Sequence, residues 1–256
     1  MVSVCGKSPS WVTRDKGLRI MQHYMTDIDA LDDIGEVLLY ACRACLEQRV
    51  ARMSYHVTPL FDEPTSPTTA VYAEGFSEEW LECYDRHDFR QSDPIPQRVL
   101  AHGELMTWQD AMQAGENSAA NLAYFKAMRK YGLIHGFGLP LFGPRGRNAY
   151  ASFDFGEPLS NALADRLANV RAVAQAAHQR VSVLLDKTVK APVLSEREVE
   201  VLSWAARGKS VASIAAILNL SPDTVKTYSK RIYAKLDVTD RVGAVVKALK
   251  LGLVRL

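Results

Sequence analysis

The sequence predicts two domains of different class: an α+β domain built as an α/β/α sandwich, then an all-α domain of four helices. Three observations carry this expectation. Strand-like and helix-period stretches are mixed along the chain up to about residue 185. A charged, proline-containing stretch, DKTVKAPV, follows at residues 186–193. Beyond it come four helical runs, each with its own start and stop signals. The expected organisation is therefore a loose extension over 1–26, a first domain over 27–185, a linker over 186–193 and a second domain over 194–256.

A chain of 256 residues has room for two separate cores. Its apolar fraction of 48% and charged fraction of 23% are ordinary for a globular protein. No apolar run is long enough for a membrane helix. The segment from Met1 to Met25 carries Lys7, Arg14, Lys16 and Arg19 without a continuous apolar stretch. A secretory signal is therefore not expected, and the cytoplasm is.

In the first domain, Ile28, Leu31, Ile34, Val37, Leu38, Ala41 and Cys45 recur at helical spacing over 27–50. Strands are expected over 51–57 and 70–75, separated by the turn-rich DEPTSPTT. Helices follow over 78–86 and 118–131. GFGLPLF and AYASFDF flank PRGRN and read as a β-hairpin. A long helix over 160–185 carries Leu163, Leu167, Val170, Ala174, Ala177, Val181 and Leu184 alternately four and three apart. That seam suits either a dimer contact or a cover for the sheet of its own domain. Cys5, Cys42, Cys45 and Cys83 are expected to be buried and reduced. Cys42 and Cys45 form a C-x-x-C, but no second ligand pair completes a metal site, and none is expected.

The second domain begins with a capping box, Ser195 and Glu198, ahead of Val199, Val201, Leu202, Ala205 and Ala206. Gly208 ends this helix. Ser210 starts a short second one, and Asn219 ends that. Ser221 caps a third, with Pro222 in its first turn, where a missing N–H costs nothing. Asp240 starts a fourth, stopped by Gly252. Four helices with a tight turn between the second and third make a four-helix helix-turn-helix domain.

Charge supports the nucleic-acid reading of that motif. Residues 191–256 hold eleven Lys and Arg against six Asp and Glu, a net +5; the preceding residues hold twenty against twenty-three, a net −3. On the third helix, Val225, Ser229, Ile232 and Leu236 share one face, and Asp223, Lys226, Thr227, Lys230 and Arg231 share the other. A major groove admits one helix and is read by such side chains. Lys226, Thr227 and Lys230 are the candidates for base contacts. Arg231 and Lys235 are candidates for phosphate, with Ser221 and Thr224 at the helix N-terminus.

The stretch LSEREVEVLSWAARGKSVASIAAILNLSPDTVKTYSKRIYAKLDVTDRVGAVVKA resembles the DNA-binding domain of the LuxR/FixJ superfamily. Glu198, Leu202 and Gly208 stand at that family's most characteristic positions; Tyr228 departs from its frequent histidine. In the first domain, Trp80, Tyr84, Asp93, Pro94, Trp108 and Gly136 are spaced by 4, 9, 1, 14 and 28 residues. That series resembles the autoinducer-binding domain of LuxR-type quorum-sensing receptors. Singly, each has a plainer reading: core aromatics for the tryptophans, a turn for Asp93–Pro94. The joint spacing is what carries the resemblance.

The resemblance implies an N-acyl-homoserine lactone as effector and no further cofactor. Trp80 would donate to the lactone carbonyl, and Asp93 would accept the amide N–H. Tyr84 and Trp108 would wall the pocket, and Ser152 would contact the acyl group. Gly136 would allow close backbone packing. Phe76 stands where the family often has a tyrosine that donates to the acyl carbonyl, so Tyr72 or a water would have to serve instead. A homodimer on an operator with two-fold symmetry is implied, and RNA polymerase is a further partner. The alternative is an orphan regulator that senses another small molecule or works without ligand. A lactone-hydrolysing enzyme is not expected, because neither an H-x-H-x-D-H series nor a G-x-S-x-G elbow is present. Nor is a phospho-acceptor receiver, given the opening helix and strands that meet in a hairpin.

Overall fold

The computed structural model describes residues 23–58, 66, 68–160, 163–188 and 192–255. The chain divides into two compact units, one ending at Asp186 and one beginning at Lys187. The proposed extension, apart from residues 23–26, lies outside the described residues, as do most of DEPTSPTT, the middle of the linker and Cys5.

The described part of the first unit begins in helix α1, residues 23–30, followed by α2, Ile34–Glu47. A single helix was expected over this stretch. Two form because Asp33 takes an extended conformation and its side chain accepts from the Glu36 amide, starting a new helix. Helix α1 also begins ahead of residue 27, and Tyr24 and Ile28 lie in the core.

Among the described residues, five antiparallel strands form one sheet, ordered β2-β1-β5-β4-β3. They are β1 (Arg52–Val57), β2 (Ala70–Glu74), β3 (Met106–Thr107), β4 (Phe137–Leu141) and β5 (Ala149–Asp154). The expected hairpin is β4–β5. Pro140 is tolerated in β4 because β3 pairs only as far as Gly138, leaving that side of Pro140 unpaired. Alternation along the strands splits the sheet into two faces. Met53, Leu139, Ala151 and Phe153 face α2 and the long helix α8, Ala164–Thr188. Ser54, His56, Tyr150 and Ser152 face the other layer, with α3 (Glu78–Arg86), α4 (Phe89–Ser92), α5 (Ile95–His102), α6 (Trp108–Gln113) and α7 (Ala119–Lys130). The α/β/α sandwich is thus as expected.

The α8 seam covers its own sheet: Leu163, Val170, Ala174, Ala177, Val181 and Leu184 are all buried in that core, with Leu167 against it. The dimer alternative for this seam is excluded, since the same atoms cannot face a partner. Cys42 and Cys45 are free and buried, as expected, and burial pushes the Cys45 thiol up to about 12. Cys83 departs from expectation. It is only half-buried, packed against the core that contains Trp80 and Tyr124, with its sulfur 3.7 Å from His87 Nδ1.

In the second unit, α9 (Glu196–Ala206), α10 (Val211–Leu218), α11 (Pro222–Leu236) and α12 (Arg241–Lys250) follow the predicted boundaries. Ser195 and Glu198 close the capping box, and Ser210, Ser221 and Asp240 each accept an amide one turn on. Gly208, at φ 78, supplies the left-handed residue that ends α9. Leu202, Ile214, Val225, Ile232, Leu236, Ala244 and Ala248 form the core.

Candidate ligand-binding and DNA-binding sites

Between the sheet and the α3–α7 layer lies a cavity. Phe76, Trp80, Tyr84, Asp93, Trp108 and Ser152, the six side chains expected from sequence, all line it. Its floor is Ser54 and His56 of β1, Val71 and Ala73 of β2, and Tyr150 and Ser152 of β5.

Local structure explains how each side chain arrives. Ser77 caps α3, accepting from the Trp80 amide at 3.3 Å, and so sets the first turn on which Trp80 lies. Trp80 and Tyr84, four apart on one helix face, turn inward together with ring centroids 5.8 Å apart. Asp88, in the left-handed region at φ 47, starts the short α4 and directs the chain back to the cavity at Asp93. The Asp93 carboxylate accepts the Ile95 amide at 2.9 Å, and Pro94 caps α5. The turn and the pocket are thus one device: the Asx turn holds the carboxylate at the wall.

Trp108 opens α6, and its amide donates to the Gly136 carbonyl at 2.8 Å. The indole lies directly over Gly136, where an added Cβ would stand 2.4 Å from three ring carbons. Gly136 therefore does allow the close packing that was expected. Tyr150 lines the cavity together with Trp108 and Ser152, which partly offset the effect of burial that raises its hydroxyl well above the usual tyrosine range.

Electrostatically the site is dominated by Asp93, 6% exposed among aromatic rings. Burial pushes its carboxyl up to about 7, partly offset by the Ile95 amide, the Tyr124 hydroxyl and Arg98. In return burial, and then the Asp93 charge, holds the Tyr124 hydroxyl well above the usual tyrosine range. Among the described residues, the Trp80 indole N–H has no protein acceptor. A neutral donor and a buried acceptor, both lining one apolar space, can together pair the carbonyl and N–H of an amide-bearing ligand.

Nine further lining residues were missed by sequence reasoning, among them Tyr124, Tyr150, Ser54 and His56. Tyr124 was recognised only as part of a helix, and Tyr150 only as part of a strand. His56 shares strand parity with Ser54, and that period-two pattern was the available signal. The same pattern overturns the role suggested for Tyr72. It sits on the opposite sheet face, in the space it lines with Cys42, and is not among the residues lining this cavity.

In the second unit, Lys226, Thr227, Lys230 and Arg231 are exposed on α11, opposite buried Val225, Ile232 and Leu236. Lys226 makes a loose surface pair with Asp223 at 3.1 Å, of the kind that contributes little. The Ser221 and Thr224 hydroxyls lie 2.8 Å apart at the helix start, serving the cap. Lys235 departs from the phosphate role suggested for it. Its ammonium sits 2.7 Å from Glu198 Oε2 and 3.2 Å from the Val193 carbonyl, clamping α11 to α9. Glu198 is 3% exposed. Burial raises its carboxyl, but Lys235 and the Ser195 cap more than reverse this and hold it below the usual range. Glu198 is structural, as expected, and Lys235 is its counter-charge.

A cavity that can pair an amide in one domain and a cationic helix presented by a helix-turn-helix in the other define a ligand-sensing transcription regulator. Comparison with known proteins agrees. Residues 33–181 match the autoinducer binding domain, and residues 192–248 match the luxR family of bacterial regulatory proteins. This chain belongs to the LuxR family of quorum-sensing transcription regulators. It is 31% identical to the quorum sensing-dependent transcriptional regulator RpaR of Rhodopseudomonas palustris over 185 residues, 72% of this chain and 75% of that one. It is 29% identical to the quorum-sensing regulator RhlR of Pseudomonas aeruginosa over 223 residues, 82% and 88% of the two chains. The crystal structure of Escherichia coli SdiA shares the fold, with a TM-score of 0.69 at 22% identity over 92% of this chain and 98% of that one. Among the described residues, no helix is long and apolar enough to cross a membrane.

Proposed function

We propose that the chain is a receptor for an N-acyl-homoserine lactone and controls transcription in response to it. The observation that carries this reading is the convergence of the Trp80 indole and the Asp93 carboxylate on one cavity. In the bound state Trp80 donates to the lactone carbonyl and Asp93 accepts the amide N–H, a charge-assisted bond in a water-poor site. Tyr84 and Trp108 supply the walls, and Ser152 meets the acyl carbonyl. Ligand adds to the core of the first domain and shifts the population toward the folded, DNA-competent state.

Paired as a homodimer in the cytoplasm, two copies set their α11 helices against half-sites about one helical turn apart on a two-fold operator. Lys226, Thr227 and Lys230 read bases there, and Arg231 meets phosphate. RNA polymerase is the remaining partner of this scheme, and no cofactor beyond the lactone enters it. The test is a melting-temperature screen of the purified protein with a panel of lactones. A rise with at least one of them, lost in Asp93→Ala, is expected; no rise with any would refute the reading.

A second reading, a different small-molecule effector, draws on Phe76, which lines the cavity without a hydroxyl. It also draws on SdiA, whose structure has been solved in complex with octanoyl-rac-glycerol. Mass spectrometry of ligand extracted from the purified protein separates the two.

A further inference from the structure

The sheet carries cavities on both faces, and their linings differ in kind. The one between the sheet and α2 and α8 is walled mainly by aliphatic and aromatic groups with two protonated thiols, Ser54 being shared between the two. It is the packing space of the core. The ligand cavity has a polar floor. Ser152 Oγ lies 2.7 Å from Ser54 Oγ, and Ser54 Oγ lies 2.9 Å from His56 Nε2, so three side chains from two strands form one hydrogen-bonded line.

This floor is poorly suited to a plain alkyl chain. Polar groups covered by hydrocarbon lose their solvent partners and gain none. The imidazole spends Nε2 on Ser54, and among the described residues no protein group pairs with its Nδ1. The ring stands edge-on to Tyr150, with centroids 5.1 Å apart and planes at 79°, a favoured aromatic geometry that fixes its orientation. Burial, and then the nearby Arg90 charge, push its pKa down to about 4, so near neutral pH the ring carries no charge. A neutral Nδ1 is a donor in one tautomer and an acceptor in the other. A hydroxyl satisfies both, a carbonyl satisfies one, and a charged group is disfavoured beside either. Phe76 brings no hydroxyl to the cavity, whereas the floor offers the Ser152–Ser54–His56 line.

We infer that His56 is a specificity residue, selecting lactones whose acyl group carries a neutral hydrogen-bonding substituent, a hydroxyl above all, over unsubstituted alkyl chains. The inference rests on the lactone reading above and adds to it the chemistry of the acyl end. Ser54 is its positioning residue, linking the imidazole to Ser152.

The experiment measures binding of hexanoyl-homoserine lactone and of its oxo- and hydroxy-substituted derivatives to the full chain, by calorimetry. The proteins are the wild type, His56→Leu and His56→Gln, each first checked for folding by its melting curve. The wild type should bind its best substituted lactone roughly 5- to 10-fold tighter than the plain one, the worth of one hydrogen bond. His56→Leu should erase or invert that ratio while still binding the plain lactone, and His56→Gln, which keeps a donor and an acceptor, should restore part of it. Equal or tighter binding of the plain lactone by the wild type would overturn the inference and leave the lactone reading standing. So would a preference that survives His56→Leu. Failure of every lactone to bind the wild type would overturn both.

Discussion

Replacing Asp93 by asparagine separates what the carboxylate costs the empty protein from what it gives the bound one. The side chain is 6% exposed, and burial raises its pKa from 3.8 to about 7. A raised carboxyl pKa means that the folded state holds its proton more tightly than the unfolded chain. Its contribution is therefore most favourable below the unfolded value, and stability is lost as pH rises from about 4 through 7. With about 1.4 kcal/mol per pKa unit, the penalty at pH 8 is on the order of 4 kcal/mol, and at pH 5 it is about 1.5 kcal/mol. Asparagine keeps an oxygen for the Ile95 amide and can donate to Tyr124, but it carries no charge at any pH. Without ligand, Asp93→Asn should therefore be more stable than wild type. The advantage should grow by about 2–3 kcal/mol between pH 5 and pH 8, or roughly 5–10 °C in melting temperature. Scanning calorimetry of both proteins across that range is the assay. The same substitution should remove most of the stabilisation by lactone, because an amide nitrogen cannot accept the ligand N–H. Parallel melting-temperature curves for the two proteins would refute the account of a desolvated carboxylate kept for binding.

Lactone affinity of the wild type should weaken as pH falls below about 7, approaching tenfold per unit, since ligand requires the ionised Asp93; titration calorimetry in buffers of different pH measures it. Gly136→Ala should lower stability by about 1–3 kcal/mol and blunt the lactone response, because the new methyl drives the indole of Trp108 into the cavity. An unchanged melting curve with full response would contradict this. Reversing charge at Lys226 and Lys230 should cut operator affinity and flatten its salt dependence, seen by anisotropy titration at several salt concentrations. Lys235→Met should instead cost about 1–3 kcal/mol of stability through the orphaned Glu198 while leaving the salt slope of DNA binding nearly unchanged; a lowered slope would return Lys235 to the phosphate-contacting set.

Local chemistry made the second domain readable almost to the residue. Its helix boundaries are set by Ser195, Ser210, Ser221, Asp240 and Gly208, each of which acts through groups a few positions away. The first domain was less transparent between Arg86 and Ser118. Helices α4 and α6 span only Phe89–Ser92 and Trp108–Gln113, too short to show a period. Helix α4 also begins at a left-handed Asp88, with no preference visible beforehand. The expected cavity residues were found because their spacing resembles that of the autoinducer-binding domain. Their neighbours Tyr124, Tyr150 and His56 were not, because each joins the site through sheet pairing or helix docking across long stretches of chain. Lys235 misled for a related reason. Face assignment on a helix says which way a side chain leaves the backbone, while the buried carboxylate that captures its end belongs to another helix.

Strand β1 divides its labour by parity. Met53 belongs to the fatty interior beneath the sheet, whereas Ser54 and His56 belong to the chamber above it. A lineage can therefore retune the signal it hears by substituting alternate positions of one strand, leaving the interleaved positions, and with them the folded state, almost untouched. Divergence of chemical dialect among such receptors need not be slowed by the demands of staying folded.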